Sequence, residues 1–178
     1  MPQDRTKVRI GPGKLYSAAV GSVEPATLAT VWAVAWTDLG YTVEGSSFVI
    51  SPSYEEIEVA EELDPIDIQA TGRDLTVSFA LAQLTAENLQ LALNGGTITT
   101  GTGEKTIEPA AGTAVPTYTA LGWRSSDSKE QYVWRRCLQT GDIEIARRKA
   151  PDKASIPVSF RALLPTTGAA FAYKVSDT

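Results

Sequence analysis

The sequence predicts a mainly β protein: an antiparallel β-sandwich or partly closed barrel, with one short α-helix at about residues 85–94 packed on a sheet. Three observations carry this. Leu75, Val77, Phe79 and Leu81 alternate strictly with Thr76, Ser78, Ala80 and Ala82, the period-two signature of a half-buried strand. Further alternating runs follow, separated by Gly-, Pro- and Asp-containing turns. A single segment has helical spacing together with a start and a stop signal.

Taken in order, residues 1–14 read as an arm, because Gly11-Pro12-Gly13 prevents a helix. Leu15 to Val20 is a first strand, closed by Gly21. Ala26–Trp36 admits two readings: Thr30–Trp36 alternates as a strand, whereas Leu28, Val31 and Trp32 would fit one helical turn, and strand or irregular structure is the expectation. Residues 42–63 suggest a long polar hairpin or loop, with Ser51-Pro52-Ser53 separating Phe48-Val49-Ile50 from an acidic strand at Tyr54–Leu63. In that strand Ile57, Val59 and Leu63 fall on one face and Tyr54, Glu56, Glu58 and Glu62 on the other. Asp64-Pro65 breaks it, Ile66–Ala70 resumes the alternation, and Thr71-Gly72-Arg73-Asp74 reads as a turn into the strand at 75–82.

Thr85 is a suitable N-cap for the helix, and Glu87 sits in the first turn, where the helix dipole favours an anion. Leu84 and Leu89 occupy staple positions, Leu89, Ala92 and Leu93 share a face, and Gly95 after Asn94 is the expected terminator. So short a helix is not stable alone in water and must dock on the sheet. Residues 95–116 are rich in Gly and Thr and suggest a small hairpin, Thr97–Thr99 with Lys105–Ile107. Tyr118–Trp123 and Tyr132–Leu138 read as strands around a turn at Ser125–Ser128, with Ile143–Ala146 as an antiparallel partner after Thr140-Gly141-Asp142. A basic loop, Arg147–Lys153, leads to the last long strand, Ile156 to Leu164, where Pro157 suits strand entry or an edge. Residues 165–178 form a tail, and the whole reads as one domain.

Composition narrows the chemistry. The chain has no histidine and one cysteine, Cys137, so an internal disulfide, a Ser-His-Asp or Cys-His nucleophile and the usual zinc sets are excluded. Cys137 reads as a small core residue. None of the glycines stands in a phosphate-cradling motif, no acidic spacing matches a calcium loop, and no cofactor is expected. There is no signal-peptide pattern, and the longest apolar run, Ala26 to Trp36, is about half of a membrane span, so no membrane association is expected. The net charge of −5 disfavours a general nucleic-acid binder. The distribution is uneven: residues 24–87 hold twelve acids and one base, Arg73, whereas residues 124–161 hold nine bases and five acids. Trp32, Trp36, Trp123 and Trp134 suit core or subunit contacts, and a carbohydrate-binding β-sandwich is the alternative they leave open.

Four stretches in order, Gly11-Pro12-Gly13-Lys14-Leu15-Tyr16, Trp36-Thr37-Asp38-Leu39-Gly40-Tyr41-Thr42-Val43-Glu44-Gly45, the strand–helix pair at 75–94 and Arg148-Lys149-Ala150-Pro151-Asp152-Lys153, give the chain its resemblance to the major tail proteins of long-tailed bacteriophages. The resemblance runs from about residue 11 to about residue 173. It implies a structural virion protein without catalysis, whose six-membered rings stack into a tail tube, with sheets lining a channel and the helix outside. It further implies that the genome transits the lumen without sequence-specific binding. The implied partners are a tape-measure protein and the tail terminator and tip proteins, with assembly in the host cytoplasm. A head-completion or decoration protein is a second virion alternative. On this reading Glu55, Glu56, Glu58, Glu61, Glu62 and Asp67 are candidates for the lumen or for subunit contacts, and Arg135, Arg136, Arg147, Arg148 and Lys149 are candidate basic partners on a neighbouring copy.

Overall fold

The computed structural model describes residues 11–112, 114–145 and 153–176. Its elements are β1 (Gly13–Ala19), β2 (Thr37–Asp38), β3 (Thr42–Ile57), β4 (Asp67–Leu81), α1 (Ala86–Ala92), β5 (Thr97–Thr100), β6 (Lys105–Glu108), β7 (Thr119–Ser125), β8 (Glu130–Gln139), β9 (Ile156–Ala162) and β10 (Phe171–Val175). The main sheet is antiparallel and ordered β2-β1-β7-β8-β9-β4-β3, with β10 also on β8; β5 and β6 form a separate hairpin. β9 and β10 share one edge of β8, β9 at residues 137–139 and β10 at residues 130–134.

The sheet curls. Its end strands β2 and β3 are joined by only three residues, of which Leu39 donates its N–H to Leu15 (2.9 Å) and Tyr41 accepts from Ala82 (2.8 Å). The Phe48 ring of β3 reaches Trp134 of β8 at 5.3 Å and Phe171 of β10 at 5.1 Å. The fold is thus mainly β with one short helix, and the sheet does not close into a barrel. Inside the curl lie Leu15, Leu75, Val77, Leu81, Leu121, Trp134, Ile156, Val158 and Phe160, the inward set of five strands. Pro157 pairs with Ala80 at the entry to β9, where β8 does not reach, so its missing N–H breaks no ladder bond on that side.

α1 begins as expected: the Thr85 hydroxyl accepts from the N–H of Asn88 at 3.2 Å. Its end differs. Asn94, not Gly95, takes the left-handed conformation (φ 55°), and Gly95 N–H returns to Gln90 O at 3.0 Å while Asn94 N–H reaches Leu91 O, the Schellman pattern. The docking face is also rotated from the expected one. Asn88 and Ala92 are buried, Leu89 and Leu91 pack on the core, and Leu93 does not join it. The cause is Asn88, whose amide donates to Leu39 O (3.2 Å) and Gln83 O (3.0 Å) and fixes the helix on the loop before β3. Leu91→Ala and Leu89→Ala should therefore each cost about 2 kcal/mol, the low end for core leucines because both are half-buried. Leu93→Ala should cost clearly less in urea titration; an equal loss at Leu93 would contradict this docking.

Other expectations need correction. Thr71–Asp74 is not a turn: β4 runs straight through it, and Thr71 is the extra residue of a bulge between the pairs Ser53↔Gly72 and Tyr54↔Ala70. Ser51-Pro52-Ser53 lies inside β3, where an edge strand tolerates proline. The acidic strand ends at Ile57, and residues 58–66 form the tip, closed by Ile66 N–H to Ile57 O at 2.9 Å. The long hairpin is therefore 42–81, not 42–63. Ile143 and Ile145 form no strand but pack against the core, and Ala146 lies outside the described residues. In the expected tail, Phe171–Val175 form β10, and in the expected arm Gly13 and Lys14 already belong to β1, while residues 1–10 lie outside the described residues.

Residues 20–36 have no strand or helix, which decides between the two readings of 26–36 in favour of irregular structure. They lie on the outer face of the sheet. Trp32 stacks on Tyr16 (4.6 Å between ring centres) and meets Trp36 edge-on, and both rings pack with Ala18, Ala120 and Val133 in a second, smaller core. Gly122 makes room for them: a Cβ there would stand 2.3 Å from the Trp32 ring.

Candidate assembly surface

β4 pairs with β9 only from Thr76 to Leu81, so residues 67–75 pair with β3 alone. At 3.3 Å per residue the resulting two-stranded ribbon extends roughly 30 Å beyond the body. Between residues 49 and 74 every side chain except Val59 is exposed. Such a ribbon, packed on nothing, is marginal in water.

Its two faces differ. Ile50, Pro52, Tyr54 and Glu56 continue the face on which Phe48 enters the core, and the register adds Arg73 opposite Pro52, Ala70 opposite Tyr54 and Ile68 opposite Glu56. Ile50, Tyr54 and Ile68 are 44%, 64% and 58% exposed, so this apolar stripe runs out of the core into solvent. The other face carries Ser51, Ser53, Glu55 and Ile57 with Asp67 and Gln69 opposite. Glu55 and Asp67 thus share the polar face, Glu56 stands at the edge of the apolar one, and Glu58, Glu61 and Glu62 crowd the tip. Sequence alternation alone missed the stripe, because the cross-strand register through the Thr71 bulge was needed to bring Ile68 and Ala70 beside Tyr54 and Glu56.

Of the basic candidates, Arg135 and Arg136 lie among the described residues. Arg135 forms a two-pronged ion pair with Glu24, Nη2 to Oε2 at 3.1 Å, and also donates to Ala169 O. The Glu24 carboxylate raises the pKa of the guanidinium, so its charge is fixed and engaged within the chain. Arg136 stands 4.0 Å over the Tyr118 ring. Arg147, Arg148 and Lys149 lie outside the described residues.

Trp32, Trp36 and Trp134 are buried and Trp123 is half-buried, which leaves the carbohydrate-binding alternative without an exposed tryptophan platform. Burial pushes the Cys137 thiol up to about 12, so it is not a nucleophile at neutral pH. Among the described residues no group of three His, Cys, Asp or Glu side chains could hold a metal ion, and no helix is long and apolar enough to cross a membrane. A groove of about 660 Å³ between α1 and β1 contains the carboxylates Asp38 and Glu87, which bond Lys14 and Lys105. What remains conspicuous is a curled sheet carrying a long ribbon with nothing to rest on.

Compared with known families, the chain matches phage tail tube protein over residues 1–178. It belongs to the phage tail tube protein family. No curated protein matches it. Membership makes this tail tube protein a structural, self-assembling component of the virion tail.

Proposed function

We propose that copies of this tail tube protein close into six-membered rings, that the rings stack into the tube, and that each ribbon reaches a neighbouring copy. The observation that carries this is the β3–β4 ribbon, roughly 30 Å of paired backbone with Ile50, Tyr54 and Ile68 exposed along one face. One interface that closes on itself makes a ring, and a second that does not close makes a filament. Acids stand on both faces of the ribbon, so one set meets a neighbour and the other coats the lumen. An acidic wall repels DNA phosphates, which lets the genome slide through without binding. The lumen would hold a tape-measure protein before ejection, and terminator and tip proteins would close the ends of a tube built in the host cytoplasm. With Arg135 engaged by Glu24, the bases left to meet a neighbour's acids are Arg136, Arg147, Arg148 and Lys149.

Negative-stain microscopy of the purified protein at high concentration tests the reading. Six-fold rings and tubes are expected. A protein that stays monomeric at every concentration and ionic strength would overturn it.

A further inference from the structure

We infer that the loop joining β1 to β2 is the surface on which the ribbon of the next copy lands. This rests on the reading above, that the ribbon docks on a neighbour, and adds where. Seventeen residues without regular structure is long for a connection inside a compact fold, and such loops are functional more often than not. From Pro25 to Thr37 the loop contains no charged residue, in a chain of which 21% is charged. It is nevertheless held firmly. Trp32 and Trp36 anchor it inward, the Trp36 indole donates to Val23 O (2.9 Å), Arg124 to Leu28 O (2.7 Å), and Lys174 to Ala26 O (3.2 Å) and to Pro25 O. Around these two anchors Val31 and Val34 stand outward, 81% and 103% exposed, with Ala29, Ala33 and Ala35 also exposed. The result is an apolar, uncharged platform, fixed from below and covered by none of the described residues.

Charge says which surface covers it. The register places Lys14, Arg124, Gln131 and Lys174 in one row across β1, β7, β8 and β10, beneath and beside the loop. Arg124 and Lys174 donate to backbone carbonyls of the loop, which carry no net charge to cancel theirs. The carboxylates flanking the loop, Glu24 and Asp38, are engaged by Arg135 and Lys14. With Lys14 paired to Asp38, the platform is apolar with Arg124 and Lys174 as its cationic margin. The ribbon offers it an apolar stripe of Ile50, Tyr54 and Ile68, interrupted by Arg73 opposite Pro52 and bordered by Glu55, Glu56 and the acids of the tip, so that acids outnumber the one base. The loop packs over β1, β7 and β8 whereas the ribbon runs out beyond the body from β3 and β4, so one copy offers the first surface and the next copy the second. Such unlike surfaces make a head-to-tail contact. Exposed ion pairs set its register, and the valine and isoleucine side chains supply its strength.

Two variants of the full chain separate this inference from the reading beneath it. Val31→Asp with Val34→Asp blocks the platform and leaves the ribbon intact; Tyr54→Asp with Ile68→Asp does the reverse. Neither should form tubes alone, and mixed together they should give a complex of one copy of each, seen by light scattering. Tubes from the ribbon variant would sink the docking reading itself. Tubes from the loop variant, or two inactive variants that ignore each other, would sink only the platform. If either aspartate variant fails to fold, the wild-type background carries the test: a Val34→Cys chain mixed with an Ile68→Cys chain should cross-link on mild oxidation. Cys137, buried and with its thiol pushed up to about 12, stays silent. Absence of that cross-link between chains that still assemble would overturn the inference.

Discussion

Replacing residues 58–66 with an Asn-Gly turn should leave a chain that folds and makes no tubes. Ile57 and Asp67 are the last pair of the ribbon, and a two-residue turn of that type joins antiparallel strands in register. The excised tip contributes nothing to either core: its side chains are exposed apart from the half-buried Val59. Surface changes of this kind stay within about 0.5 kcal/mol, which for a chain of this length moves the melting midpoint by no more than about 2 °C. Assembly loses far more. Leu63 is 104% exposed and Ile66 55%, so none of the described residues covers these apolar side chains, and Glu58, Glu61, Glu62 and Asp64 leave with them. The measurement is paired: calorimetry for the fold and electron microscopy for the tube. Tubes of normal length would contradict the role given to the ribbon, and a collapsed melting curve would show that the tip belongs to the fold.

The strands that bury one face were legible in the sequence, because an alternating strand such as β4 from Leu75 to Leu81 carries its own evidence. The small hairpin at Thr97–Glu108 and the start of α1 were legible for the same reason: turn residues and caps act locally. What was not legible depended on partners distant in the chain. Thr71-Gly72-Arg73-Asp74 has the composition of a turn, yet pairing with β3 along the whole of β4 outweighs that local preference and leaves only a bulge. Arg135 read as a free base until Glu24, 111 residues away, closed on it. The helix face was read from its leucines, whereas the amide of Asn88 donates to two backbone carbonyls and turns the helix with it. The acids of the ribbon were found, but the apolar stripe beside them was hidden by the register of the hairpin, and the loop at 20–36 by the sheet beneath it.

That loop depends on one glycine. Gly122 sits in β7 between Tyr16 of β1 and Val133 of β8, with the Trp32 ring directly above it. A Cβ at this position would stand 2.3 Å from two atoms of that ring and 3.2 Å from Trp36, well inside contact distance. The Trp32 ring has little freedom to yield, since it is buried, stacked on Tyr16 and set edge-on against Trp36. Gly122→Ala should therefore behave as overpacking, costing about 1–3 kcal/mol and lowering the melting midpoint by roughly 2–12 °C. Gly122→Val should lift the tryptophans off the sheet, shift their fluorescence to the red, and carry Val31 and Val34 away from the positions assembly requires. The diagnostic result is coupling. In a Trp32→Leu background the smaller side chain leaves space above residue 122, so the cost of Gly122→Ala should shrink by more than about 0.5 kcal/mol, the level expected between independent sites. An equal cost in both backgrounds would mean that the glycine serves the strand and not the loop above it.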